Sequence, residues 1–137
     1  MEPTPAMDEA TAIDRQEKSK QRALRAAQIA DENRGRNIVI LDLREMTSVF
    51  DFFVLATGTS RRQIHAMADE IDQTFKKQGD RRLGREGLEE SRWILLDYGD
   101  VVVHLFEEET RRYYALEDLW GQAQRLTYPS QTSNSSL

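Results

Sequence analysis

The sequence predicts an α+β fold, a two-layer arrangement of a mixed β-sheet with helices packed mainly on one face. Three observations carry this. Two apolar runs flank Gly99-Asp100 and read as a β-hairpin. Two continuous apolar runs, Ile38–Leu43 and Asp51–Thr57, have the character of interior strands covered on both faces. A helical stripe between Ser60 and Gly79 separates the first pair of strands from the hairpin. The order helix, strand, strand, helix, strand, strand, helix suits a sheet backed by one helical layer.

Residues 1–12 contain two prolines and little apolar matter, so disorder is expected there. One domain is expected over residues 13–121, and a disordered tail over 122–137. From Ile13 to Asn33 the composition favours helix, with a thin apolar face of Leu24, Ala27 and Ala30. Such a helix is marginal alone and should dock by its C-terminal half, with Gly35 at its C-cap. The strands at 38–43 and 51–57 follow, joined by a short connection. Ser60-Arg61-Arg62-Gln63 fits a capping box, in which hydroxyl and amide each satisfy a free backbone N–H. Ile64, Met67, Ala68, Ile71 and Phe75 then share one stripe, and Lys76-Lys77-Gln78-Gly79 ends the helix with suitable charge. Asp80–Glu90 is polar, with a short edge strand expected around Arg82-Leu83. After the hairpin, Glu107–Glu109 and Arg111-Arg112 place acids at a helix start and bases a turn later. Tyr113, Tyr114, Leu116, Leu119 and Trp120 give a broken apolar helix that should pack back on the sheet, closed by Gly121.

The hairpin fixes its own register. With Gly99 supplying positive φ in a two-residue loop, Tyr98 pairs with Val101, Leu96 with Val103 and Ile94 with Leu105. That face is wholly apolar and should be the core. The other face pairs Asp97 with Val102, Leu95 with His104 and Trp93 with Phe106. It is largely apolar, yet a carboxylate and an imidazole interrupt it. Two explanations fit: a partner-binding patch, or a face covered by a helix or another segment of the chain.

Charge is uneven along the chain. Seven acidic and seven basic side chains balance through Arg36, whereas Asn37–Gly121 holds 17 acidic and 11 basic. An acidic core is a poor candidate for gripping phosphate backbones and a better one for meeting a basic protein. No direct sequence-specific nucleic-acid binding is expected. There is no cysteine, so neither disulfides nor thiolate metal sites are available. No run reaches transmembrane length, and Met1–Pro5 lacks a basic region leading into an apolar segment, so a cytoplasmic protein without membrane contact is expected.

Catalytic chemistry finds little support. Backbone N–H groups at Thr57-Gly58-Thr59-Ser60 could hold an anion, but the spacing is neither a Walker loop nor GxGxxG, and a capped helix start explains the same residues. A strand–Gly–Ser–helix feature also occurs in nucleotidyltransferases, whose chemistry needs two carboxylates on a neighbouring strand to hold two metal ions. Here Asp69, Glu70 and Asp72 fall on the helix, and Asp97 and Asp100 flank a turn without forming such a pair. A nucleotide-binding enzyme of that kind is therefore the weaker alternative. His65 suits a surface position and His104 a hydrogen-bonded sheet position, and neither has a partner at metal-ligand spacing. No metal or cofactor is implied.

These blocks resemble one family closely. Ile38–Leu43, Asp51–Ser60, Gly87-Leu88-Glu89, Arg92–His104 and Tyr113–Gly121 together are similar to the ribosomal silencing factor family, also called Iojap-like, across about Gln16 to Gly121. The resemblance implies a nucleotidyltransferase-like fold without the catalytic residues. It implies binding to the large ribosomal subunit through large-subunit ribosomal protein fourteen, on the surface that faces the small subunit. The bound factor would block subunit joining by bulk alone, repress translation, and have a possible role in subunit assembly; a homodimer in isolation is also implied. Combining the hairpin motif with the register, Trp93, Leu95 and Phe106 are expected as anchors and Asp97 as a charged contact. His104 is expected on the same patch, and Tyr98 and Asp100 at its rim.

Overall fold

The two most apolar runs of the chain lie side by side at the centre of a six-stranded sheet in the computed structural model, which describes residues 5–126 and Tyr128. In chain order the elements are α1 (Pro5–Glu32), β1 (Arg36–Asp42), β2 (Phe52–Gly58), α2 (Arg61–Lys77), β3 (Gly84–Leu88), β4 (Trp93–Asp97), β5 (Val101–Glu107), α3 (Glu108–Tyr114), α4 (Leu116–Leu119) and β6 (Gln124–Leu126). The strand order is β3-β4-β5-β2-β1-β6. Among the described residues only β2 and β5 pair in parallel, so the sheet is mixed and the fold is α+β. Every residue of β2 is buried, as are Val101–Phe106 of β5, because both strands are flanked by neighbours and covered on both faces.

The hairpin register is the one the alternation requires. Trp93 opposes Phe106, Ile94 opposes Leu105, Leu95 opposes His104, Leu96 opposes Val103 and Asp97 opposes Val102. Gly99 turns the chain at φ +90, and its N–H donates to Asp97 Oδ1 at 2.8 Å, which ties off the turn.

The first face of the sheet carries the main core. Ile40, Phe52, Val54, Ala56, Ile94, Leu96, Val101, Val103 and Leu105 meet α1 and α2 there. From α2 come Ile64, Met67, Ala68, Ile71 and Phe75, all sealed, as their spacing requires. Each large side chain among them is worth about 1.5–3 kcal/mol of transfer free energy. From α1 come Ala23, Ala26, Ala27, Ile29 and Ala30, so this helix docks by its C-terminal half. Its small residues let it lie close to the sheet. Ile13, farther up, is mostly exposed.

The Thr57–Ser60 turn is a helix cap. Ser60 Oγ accepts from Gln63 N at 3.1 Å, and Gln63 Oε1 accepts from Thr59 N at 2.6 Å and from Thr59 Oγ1 at 2.9 Å. The return bond of the expected box therefore falls one residue earlier than Ser60. Gln63 Nε2 also donates to the carbonyls of Asn33 and Arg34, at 2.9 and 3.1 Å, and so joins the start of α2 to the end of α1. The donors that could have held an anion are thus partly spent inside the chain.

Several expectations are corrected. Helix α1 begins at Pro5, ahead of Ile13, since proline suits a first helical turn and Ala6, Ala10 and Ala12 continue it. The left-handed residue after α1 is Arg34 (φ +66), with Gly35 next to it; a Cβ on Gly35 would stand 2.8 Å from the Ala30 carbonyl oxygen. The edge strand is Gly84–Leu88, displaced from Arg82-Leu83, although Leu83 N still donates to Asp97 O at 2.7 Å. Beyond Gly121, Gln124–Leu126 pairs antiparallel with Asp42–Ile40, where irregular chain was expected. Three residues are too few for a periodic signal, and the strand exists because β1 offers an open edge. The expected disorder of residues 1–4, 127 and 129–137 lies outside the described residues. Both edges of the sheet are short: β3 has five residues including two glycines, and β6 has three.

Candidate functional site

The second face of the sheet is covered unevenly. Its residues are Leu41 and Val39 on β1, Phe53 and Leu55 on β2, Val102, His104 and Phe106 on β5, and Trp93, Leu95 and Asp97 on β4. After β5 the chain turns into α3, breaks at Ala115 (φ +47), and runs through α4 and Trp120 to β6. Leu116, Trp120 and Ala123 pack on the cluster of Leu41, Leu43, Phe53, Leu55, Val102 and Phe106. The Trp120 ring stands edge-on to Phe53 at 5.8 Å. This crossing seals the β1–β2 side of the face. Toward β4 and β3, Trp93, Leu95 and Asp97 remain partly accessible.

Arg111 holds the crossing in place. Its Nη1 donates to the Asn37 carbonyl at 2.6 Å and to Thr57 Oγ1 at 2.8 Å, and its Nε donates to Glu117 Oε1 at 2.8 Å. Beside the Arg111 guanidinium, the Glu117 carboxyl is held below its ordinary pKa. One buried side chain thereby links α3, α4 and the ends of β1 and β2. Its neighbour Arg112 makes the exposed i,i+4 pair with Glu108, at 3.3 Å.

The accessible part is an aromatic cluster. Trp93 stacks on Phe106 with centroids 4.9 Å apart and planes 29° apart. The Tyr114 ring lies 5.0 Å from Trp93, tilted by 47°, and its hydroxyl donates to Glu89 Oε1 at 2.5 Å, a bond that raises the phenol pKa. His104 meets the Phe53 ring edge at 4.7 Å. Trp93 Nε1 donates to His104 Nδ1 at 3.2 Å. Burial alone pushes the His104 pKa down to about 3, so the imidazole is neutral. An indole can only donate; Nδ1 is therefore the acceptor and Nε2 carries the proton.

Of the residues the sequence singled out, the structure brings together Trp93, Leu95, Asp97, His104 and Phe106 on this face. Phe106 is fully buried and His104 is 4% exposed, so they form its floor; Phe106 is not a surface anchor. Tyr98 lies on the opposite face, as the alternation of the strand dictates. Its ring packs edge-on to Phe75 at 4.8 Å, its hydroxyl donates to Asp72, and burial is the largest cause raising its pKa. Asp100 also stands away from the patch. Its carbonyl accepts from Asp51 N and Phe52 N at 2.7 and 3.1 Å, and its carboxylate faces Ser19 of α1, with Oγ···Oδ2 3.4 Å. Sequence reasoning missed Phe53 and Tyr114 as part of the patch and Arg111 as its frame. Only the tyrosine pair after the hairpin hinted at any of them. Among the described residues no group of His, Asp and Glu could hold a metal ion, and no helix is long and apolar enough to cross a membrane.

Comparison with known proteins agrees with the geometry. Residues 16–136 match the family described as "Ribosomal silencing factor during starvation". Ribosomal silencing factor RsfS of Bacillus subtilis is 42% identical over 98 residues, covering 72% of this chain and 83% of that protein. The mouse protein named "Mitochondrial assembly of ribosomal large subunit protein 1" is 33% identical over 92 residues, covering 65% of this chain and 40% of that one. A crystal structure of a Chromobacterium violaceum protein superposes with a TM-score of 0.68 at 34% identity, covering 84% of this chain and 94% of that one. The chain belongs to the ribosomal silencing factor family, whose members are non-enzymatic ribosome-binding factors.

Proposed function

We propose that the chain is a translational repressor that binds the large ribosomal subunit through large-subunit ribosomal protein fourteen and blocks joining of the small subunit by bulk. The observation that carries this is the half-covered second face, where Trp93 and Leu95 stay partly accessible over a packed aromatic floor with Asp97 beside them. A preformed apolar patch with an acidic neighbour suits a basic protein surface. No reacting group is needed for such a role. Docking through this face would turn α1 and α2 outward, since they lie on the opposite side of the sheet. Helix α1, with 28 residues, is about 42 Å long at 1.5 Å per residue, so the outward layer is wide enough to obstruct a second large body. A part in large-subunit assembly, a cytoplasmic location and a nucleotidyltransferase-like ancestry of the fold belong to the same reading. The assembly role has support in the name of the mouse relative.

Sedimentation of purified subunits tests it. The protein should travel with large subunits and prevent joined particles from forming. Trp93→Ala should weaken binding to ribosomal protein fourteen by about 2 kcal/mol or more, as truncation of a central aromatic anchor does. Joining that proceeds unhindered, with the protein left at the top of the gradient, would reject the reading.

A further inference from the structure

His104 does more on this face than fill space. Its Nε2 is sealed from solvent and has no hydrogen-bond partner. Its neighbours on the same face are Leu95 across β4, Leu55 across β2, and the rings of Phe53 and Phe106. A leucine at position 104 would complete that apolar surface and remove the unpaired Nε2 donor, but it would take the acceptor away from the Trp93 indole. What the imidazole supplies is the Nδ1 acceptor for Trp93. Stacking on Phe106 fixes the plane of the indole but not which of its long edges points inward, because an apolar ring accepts either. A directional N–H···N bond accepts only one.

We infer that His104 is a positioning residue: it accepts the Trp93 indole proton and so presets the partly accessible ring in the single orientation that the partner meets. This rests on the function proposed above and deepens it, since the partner is expected to touch Trp93 and not the sealed imidazole. A ring already fixed loses less freedom on binding, so the effect appears as affinity.

A double-mutant cycle on the full chain tests the inference. Affinity for purified large-subunit ribosomal protein fourteen is read by calorimetry, alongside thermal unfolding. His104→Leu should melt close to the wild type, because removal of the unpaired Nε2 donor offsets the loss of the Trp93 hydrogen bond, which water can replace at the partly accessible ring, yet bind about tenfold more weakly. Trp93→Phe, which keeps a ring and loses the N–H, should bind at least as weakly. Adding His104→Leu to Trp93→Phe should cost nothing further. His104→Asn, which restores an acceptor near the Nδ1 position, should recover affinity. The Trp93 indole N–H resonance should move upfield in His104→Leu and return in His104→Asn. Should His104→Leu not fold, His104→Met carries the same test. Wild-type binding by His104→Leu, or effects that add in the double variant, would overturn the positioning role while a weakened Trp93→Ala leaves the face reading standing. Wild-type binding by Trp93→Ala would overturn both.

Discussion

At the scale of single residues, His104 sets the terms. An unpaired buried donor costs about 1–3 kcal/mol, and the imidazole must also stay neutral to remain where it is. Its pKa is about 3 in the folded chain, against an ordinary value of 6.5. Between those values the unfolded state binds more protons, so stability falls as pH falls from 6.5 toward 3. The slope approaches about 1.4 kcal/mol per pH unit. Urea unfolding at pH 7 and pH 5 should therefore show the wild type losing about 2 kcal/mol more than His104→Leu over that interval. Equal losses would mean that the imidazole is hydrated or paired. The side chains on each face of the hairpin were legible in the sequence, because strand alternation is local and Gly99 fixes the register. Tyr98 and Asp100 stand apart from the patch for a reason of the same kind: both are near the tip, but strand alternation sends Tyr98 into the core, and the Asp100 carboxylate faces Ser19 of α1.

At the scale of elements, the crossing from α3 to β6 decides how much of the second face is free. It is a weakly built segment. Helix α4 has four residues, Ala115 holds a left-handed conformation that favours glycine, and Tyr113 and Leu119 are 81% and 74% exposed. Arg111 is what fastens it. Arg111→Met should destabilise the chain by about 1–3 kcal/mol, because the Asn37 carbonyl and the buried Thr57 hydroxyl lose their donor, while Glu117 keeps Arg125 at 3.9 Å. Hydrogen exchange should show the loss first in Leu116–Leu126. Unchanged protection there would mean that apolar packing by Leu116 and Trp120 suffices. The crossing itself was legible in the sequence, as a broken apolar helix that packs back on the sheet, but its fastening was not. Arg111 and Arg112 look alike as helix charges, and only the meeting of Asn37, Thr57 and Glu117, far apart in the chain, gives the first its role. The parallel pairing of β2 with β5 was hidden in the same way. Helix α2, by contrast, was read down to its buried side chains, because its stripe, cap and stop all lie within twenty residues.

At the scale of the whole molecule, the two faces of the sheet differ in how far they are covered. One is closed by α1 and α2, and the other is only half closed, which is the part the proposed function uses. The chain carries a net charge of −5, concentrated after Asn37, so encounter with a basic partner should be steered by charge. Raising salt from 0.1 to 1 M shortens the screening length from about 10 to about 3 Å. Stopped-flow mixing with ribosomal protein fourteen should then show association slowed about tenfold and dissociation nearly unchanged. A dissociation rate that rises as steeply would place the charged contacts inside the interface. The short borders of the sheet bear on a separate matter, how the protein behaves when crowded with its own kind. A strand border seeds fibrils when it is long, flat and apolar. Here one border is interrupted by Gly84 and Gly87 and carries Arg85 and Glu86; on the other, three residues of β6 cover Ile40–Asp42, and the rest of β1 is broken by an irregularity between Arg36 and Val39. Neither offers a template that a neighbouring chain could extend, so a concentrated solution should pass through face-to-face complexes that dissolve on dilution, without growing threads.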